Sequence, residues 1–191
     1  MLFNTRQLYT PPLEAHELNR HALIVDTETI GAGAFIELIE IAFGDAEGHI
    51  VFHSLVQPTF NPLPQISKHL RFDRAELQAA PDWLTLWPQI ATLIDNKLLI
   101  AYNAAFDRRA LAATCSRYRL QSPERGWRCA MQLAKQTLGS KKNLTLEQAC
   151  SHFGLAGGTH RAVADVNATF NLIRKLIGDG DREASISSSR D

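Results

Sequence analysis

This chain has no segment suited to a membrane, no disulfide framework and no net charge. No uninterrupted apolar run approaches the roughly 20 residues that a spanning helix needs. The opening residues Met1-Leu2-Phe3-Asn4-Thr5-Arg6-Gln7 are broken by polar side chains and lack the long apolar stretch and small-residue cleavage site of a secretory signal. The expected location is therefore cytoplasmic. The three cysteines, Cys115, Cys129 and Cys150, are odd in number, widely spaced and without a Cys-x-x-Cys pair. They read as reduced thiols in a core. Twenty basic side chains offset twenty acidic ones, so nothing draws a long polyanion from a distance, and any nucleic-acid contact has to be local. There is also no internal repeat.

What is present suits one globular domain. At 191 residues and 45% hydrophobic content the chain can bury one good core. Residues 1–20, with Pro11-Pro12 and little periodicity, read as an arm laid over the domain rather than part of its sheet. Residues 21–177 read as the domain and residues 178–191 as a disordered tail poor in apolar material.

Within the domain, Ala22-Leu23-Ile24-Val25 is a short apolar strand of the kind covered on both faces of an α/β sheet. A run from Phe35 to Phe43 and another from Ile50, joined by Gly44-Asp45-Ala46-Glu47-Gly48, make an antiparallel meander with it. Pro58, Pro62 and Pro64 then break the chain. Helices are expected over Arg74–Ala79 and Trp83–Ile94, the second capped by Asp82. Leu98-Leu99-Ile100-Ala101 is a fourth strand running into a helix near Ala104, which restores parallel geometry. Trp127–Cys129 gives a short fifth strand. Helices follow over Met131–Leu138 and Leu144–Phe153, with Asn143 or Thr145 as cap, and a last helix from Arg161 to Ile177 ends at Gly178.

The first strand ends in acid. Asp26 and Glu28 are two apart, so on a strand both carboxylates face the same spot. Two such charges side by side call for a cation, and oxygen ligands suit a hard divalent ion such as Mg²⁺ or Mn²⁺. Alone, an Asp-x-Glu reads more readily as a pair of solvated acids, since the pattern is short and frequent. Asp107 adds a third carboxylate just inside the helix after the fourth strand, where a helix amino terminus also accounts for it. His160 and Asp165 follow a double glycine. Five residues on one helix would set them about 140° apart at ~100° per residue. His160 therefore belongs to the loop, free to swing over a site that Asp165 anchors.

Together these segments form a known pattern. Asp26-Thr27-Glu28-Thr29-x-Gly31, Tyr102-Asn103-x-x-Phe106-Asp107 and His160-Arg161-Ala162-x-x-Asp165-x-x-Ala168-Thr169 closely resemble, in order, the motifs of the DEDDh 3′–5′ exonucleases. These are DnaQ-like proofreading enzymes, related to the epsilon subunit of DNA polymerase III, with a ribonuclease H-like fold. The resemblance covers Ala22 to Ile177, and Ile39-Glu40-Ile41 and Cys129-Ala130-Met131-Gln132-Leu133-Ala134 also fit it. It implies an α/β fold: a mixed sheet of about five strands, antiparallel meander plus parallel strands, flanked by helices. It implies that Asp26, Glu28, Asp107 and Asp165 hold two divalent metal ions, Mg²⁺ or Mn²⁺, and that His160 is the general base. Thr27, Thr29, Asn103 and Phe106 would receive the terminal nucleotide, Phe106 by stacking, although a packing role for this aromatic is equally in keeping with its place.

The implied activity is hydrolysis from the 3′ end of single-stranded nucleic acid, DNA favoured, releasing nucleoside 5′-monophosphates. Alternatives are an exoribonuclease for short RNA or tRNA ends, and a silent module docking on a DNA polymerase or repair complex. The chain departs from the common pattern at Ile30, where Thr is frequent, and at Tyr102, where His is frequent; both are expected to touch the nucleotide pocket. Glu40, on the face opposite Ile39 and Ile41, reads as a structural surface acid, with a group supporting the site from behind as the alternative.

Overall fold

The computed structural model describes residues 10–31, 35–59 and 72–187. Its strands are β1 (Ala22–Ile30), β2 (Glu37–Gly44), β3 (Ile50–Leu55), β4 (Leu98–Ala101) and β5 (Gly126–Cys129), and its helices are α1 (Arg74–Ala79), α2 (Trp83–Ile94), α3 (Ala104–Arg117), α4 (Ala130–Thr137), α5 (Leu146–His152) and α6 (Ala162–Ser187). The strands form one five-stranded sheet in the order β3-β2-β1-β4-β5. β1 pairs antiparallel with β2 and β2 with β3, whereas β1–β4 and β4–β5 are parallel. This is the expected meander continued by parallel strands. The central position of β1 explains its apolar first half: Ala22 to Val25 are all buried, with a paired strand on either side and α3 and α6 packed against it.

Local chemistry sets the boundaries. Asp82 accepts the amide of Thr85 at 2.8 Å and so starts α2. Of the two cap candidates for α5, Thr145 fills the place, in a reciprocal capping box with Gln148. In the β2–β3 turn, Asp45 Oδ1 accepts the amides of Glu47 and His49 at 3.0 and 2.8 Å. Gly48 in that turn has φ +93°, and a Cβ on it would meet the ring of Phe170 at 2.5 Å. α6 therefore packs directly on the hairpin. All three cysteines are buried and free.

Two expectations change. The arm is not merely laid over the domain: the carbonyl of Pro11 accepts the amide of Cys129 at 2.9 Å, Pro12 bridges Cys129 in parallel, and Leu13 enters the core. Glu17 adds an ion pair to Arg128. Proline lacks a donor but keeps its carbonyl, and the outer edge of β5 offers amides to it. The last helix also does not stop at Gly178; it continues to Ser187. Glycine inside a helix costs about 1 kcal/mol relative to alanine, which penalises the helix without ending it unless the residue turns left-handed, and Gly178 is not among the glycines of positive φ. Residues 1–9 and 188–191, and the Pro62 and Pro64 breaks, lie outside the described residues. Among the described residues, no helix is long and apolar enough to cross a membrane.

Candidate active site

Three elements converge at the carboxyl end of β1. Ile24 pairs with Ile100 in the parallel ladder, so β4 runs out just as β1 reaches Asp26. The chain then turns through Tyr102 and Asn103 into α3, whose first turn carries Asp107. Asp107 is buried, and the hydroxyl of Thr27 donates to its Oδ1 at 2.8 Å. Asp165 sits in the first turn of α6, its Oδ1 accepting the amide of Thr159 at 2.8 Å. Carboxylate oxygens of Glu28 and Asp165 and a ring nitrogen of His160 lie within 4.8 Å of one another.

The double glycine has a different reason from the one its sequence suggests. A Cβ at Gly158 would stand 2.4 Å from Asp165 Oδ1, and one at Gly157 would stand 3.0 Å from the Cα of Glu147. Both distances are below van der Waals contact, so the glycines let the loop press against Asp165 and α5. The loop is moored rather than free to swing. His160, the next residue but one, has φ +58°.

The acids raise one another's pKa. Burial and then the charges of Asp107, Asp165, Glu28 and Glu40 push Asp26 well above the ordinary carboxylate range. Glu28 is pushed up to about 8 by burial, then by Asp165, Glu40 and Asp107, with Arg161 opposing. Burial lifts Asp107 to about 7 although the Thr27 hydroxyl works the other way. Asp165 is raised chiefly by burial against the Thr159 amide and His160. The upward shift shared by all four carboxylates is what acids crowded together with too little countercharge show, and a hard divalent cation supplies that charge. The residues present therefore fit such an ion.

Not every expected contact residue faces this spot. Thr27 is buried with its hydroxyl spent on Asp107, so its side chain orients an acid instead of meeting a nucleotide. Thr29 is half-buried; Asn103 is exposed at the amino end of α3 and makes no capping bond through its side chain. Phe106 is half-buried against the core with the Arg109 guanidinium 5.7 Å from its ring centre. The two departures from the family pattern have packing roles of their own. Ile30 packs with Ile39 and Leu77, and the Tyr102 hydroxyl lies 2.9 and 3.0 Å from the carbonyls of Leu144 and Thr145, tying β4 to the cap of α5.

Glu40 is no surface acid. It is 1% exposed and its carboxylate holds Arg161, His53 and the Ala162 amide. The register carried the missed signal: Glu40 stands directly opposite Glu28 on the neighbouring strand, where like charges repel unless neutralised.

Residues 23–173 match the RNase T family, described as an exonuclease family. The chain belongs to the DEDDh exonuclease family. It is 30% identical over 174 residues to an exonuclease of Escherichia phage 186, covering 83% of this chain and 89% of the phage protein. It is 27% identical over 184 residues to a Mycobacterium tuberculosis protein named as a bifunctional exonuclease/endonuclease, covering 88% of this chain but 28% of that longer one. Among solved structures, the nuclease domain of 3′hExo, a DEDDh family member bound to rAMP, superposes with a TM-score of 0.64 at 16% identity, covering 83% of this chain and 92% of that one. A 3′-exonuclease recognising the histone mRNA stem-loop gives 0.67 at 15% identity, covering 84% and 83%. These likenesses establish the ribonuclease H-like fold. The chain is therefore an exonuclease, a hydrolase, and its family depends on divalent metal ions.

Proposed function

We propose that this DEDDh exonuclease hydrolyses single-stranded nucleic acid from the 3′ end, DNA favoured, and releases nucleoside 5′-monophosphates. The observation that carries the reading is the convergence of Asp26, Glu28, Asp107 and Asp165, each raised in pKa, with His160 beside two of them. The four carboxylates would hold two Mg²⁺ or Mn²⁺ ions. When bound, such ions supply Lewis acidity and make water a better nucleophile near neutral pH.

The chain's own groups do the rest. His160, whose ring nitrogen lies beside the carboxylates of Glu28 and Asp165, accepts the proton of the attacking water. As the water oxygen bonds to phosphorus the P–O3′ bond opens, the departing 3′-oxygen takes a proton from solvent, and the terminal nucleotide leaves with its 5′-phosphate. Thr27 fixes Asp107 by its hydroxyl. Thr29, Asn103 and the exposed part of Phe106 receive the terminal nucleotide. Residues 21–177 form the catalytic unit, working in the cytoplasm. With a formal net charge of zero, affinity is concentrated on the last few nucleotides, and long strands are held with the help of a partner such as a polymerase or repair-complex subunit.

A second reading, an exoribonuclease, is favoured by the structural relatives, one bound to rAMP and one recognising a histone mRNA stem-loop. The two differ in how closely the pocket crowds a 2′-hydroxyl. Matched 5′-labelled DNA and RNA strands, incubated with purified protein with and without Mn²⁺, test both. Faster stepwise shortening of DNA supports the first reading, faster shortening of RNA the second, and metal-independent turnover contradicts both.

A further inference from the structure

His160 occupies a backbone conformation that needs holding. A non-glycine residue at φ +58° sits in a left-handed region that costs on the order of 1–3 kcal/mol and persists only where the surroundings fix it. On its amino side the fixing is local, because the Thr159 amide is bonded to Asp165. On its carboxyl side the next two residues are bound to one buried carboxylate that belongs to neither the loop nor the metal-binding set.

That carboxylate is Glu40. Its two oxygens receive Arg161 Nε at 3.2 and 3.1 Å and Arg161 Nη2 at 2.9 Å. Glu40 Oε2 also receives the amide of Ala162, the first residue of α6, at 3.0 Å. Glu40 Oε1 is bonded to His53 Nε2 at 2.8 Å. The guanidinium of Arg161 is backed by the ring of Phe72, its Cζ 4.8 Å from the ring centre. Nothing about a buried ion pair makes it an efficient way to stabilise a fold, since desolvation cancels most of the attraction. What this pair does supply is direction, because a planar fork held along one edge by the carboxylate and backed on its face by Phe72 fixes the backbone that carries it.

We propose that Glu40, acting through Arg161 and the amide of Ala162, is a positioning residue that holds His160 over Glu28 and Asp165. The sheet explains why the anchor is here. Glu40 faces Glu28 across β1 and β2, and the pairing shifts by one residue between Glu28 and Thr29, a bulge of the kind that re-aims side chains beside sites. The strand that buttresses Glu28 thus also sets the loop carrying the base, and one rigid sheet fixes both halves of the site.

The inference rests on the reading of His160 as general base. It is tested by a double-mutant cycle on the full chain, with Mn²⁺ and a 5′-labelled single-stranded oligonucleotide as probe. Glu40→Gln should lower kcat about tenfold or more while KM stays within about twofold, as expected when a reacting group is misplaced by a fraction of an ångström. In a His160→Ala background the same substitution should change kcat by less than about twofold, because its route of action is gone. Arg161→Lys, which keeps the charge and loses the fork, carries the same comparison should Glu40→Gln fail to fold by circular dichroism. An equal loss of kcat in both backgrounds, or no loss in either, overturns the proposal. Near wild-type kcat in His160→Ala alone instead overturns the general-base reading beneath it.

Discussion

Stripping divalent ions from this protein should make its stability fall as pH rises, opposite to the usual behaviour of carboxylates. Glu28 moves from its ordinary 4.5 to about 8 in the fold, and Asp107 from 3.8 to about 7, both chiefly through burial. A carboxyl group whose folded pKa is raised binds protons more tightly folded than unfolded. The metal-free fold therefore bears no penalty below about pH 4 and loses stability steadily up to about pH 8, where Glu28 finally ionises in the fold. At about 1.4 kcal/mol per pKa unit, the rise for Glu28 alone sets a ceiling near 5 kcal/mol. Glu28 is partly exposed and the two acids share one repulsion, so the losses do not add and solvent reduces them; about 2–4 kcal/mol is expected. For a domain of this size that is a fall in Tm of roughly 5–15 °C between pH 5 and pH 8.5. Thermal unfolding followed by circular dichroism in excess chelator measures it, and saturating Mn²⁺ should flatten the slope and raise Tm most at the alkaline end. A Tm in chelator that is level across this range, and unmoved by Mn²⁺, would refute the picture of mutually repelling buried acids.

Three further outcomes follow from the same geometry. His160→Ala should slow hydrolysis by about 10²–10⁴-fold with metal affinity preserved in calorimetry; a collapse of that affinity would make His160 a ligand. Gly158→Ala places a methyl 2.4 Å from Asp165 Oδ1, so it should weaken Mn²⁺ binding at least about tenfold, whereas Gly154→Ala, where nothing stands within 4 Å of the new methyl, should cost only the strain of its positive φ in Tm. Tyr102→Phe removes the hydroxyl that meets the carbonyls of Leu144 and Thr145; it should cost about 1 kcal/mol in urea unfolding and leave KM unchanged.

The parts of the site legible in the sequence were those set by local periodicity. Asp26 and Glu28 share a direction because a strand repeats every two residues, and Asp107 falls in a first turn because helix starts carry their own signals. The antiparallel meander and the caps at Asp82 and Thr145 were readable for the same reason. What was not legible depends on contacts between distant segments. Glu40 reads as an ordinary acid until β2 lies against β1 and α6 arrives with Arg161. The glycines at 157 and 158 suggest freedom, and only the approach of Glu147 and Asp165 shows that they serve close packing. Thr27 looks like a nucleotide contact until α3 places Asp107 against its hydroxyl. The arm hid its role because prolines suppress strand signals while leaving a carbonyl able to pair with Cys129.

The central claim is that these carboxylates form one metal-dependent site that works only from a 3′ end. The most direct measurement compares closed circular and linear single strands of identical sequence, the linear ones labelled at the 5′ end, with wild-type protein and with Asp26→Asn in Mn²⁺. The account predicts that the linear strand shortens stepwise with the label retained to the last fragments, that the circle stays intact, and that Asp26→Asn, though folded, leaves both strands intact. Cutting of the circle at the rate of the linear strand, or label appearing first in a mononucleotide, would contradict it.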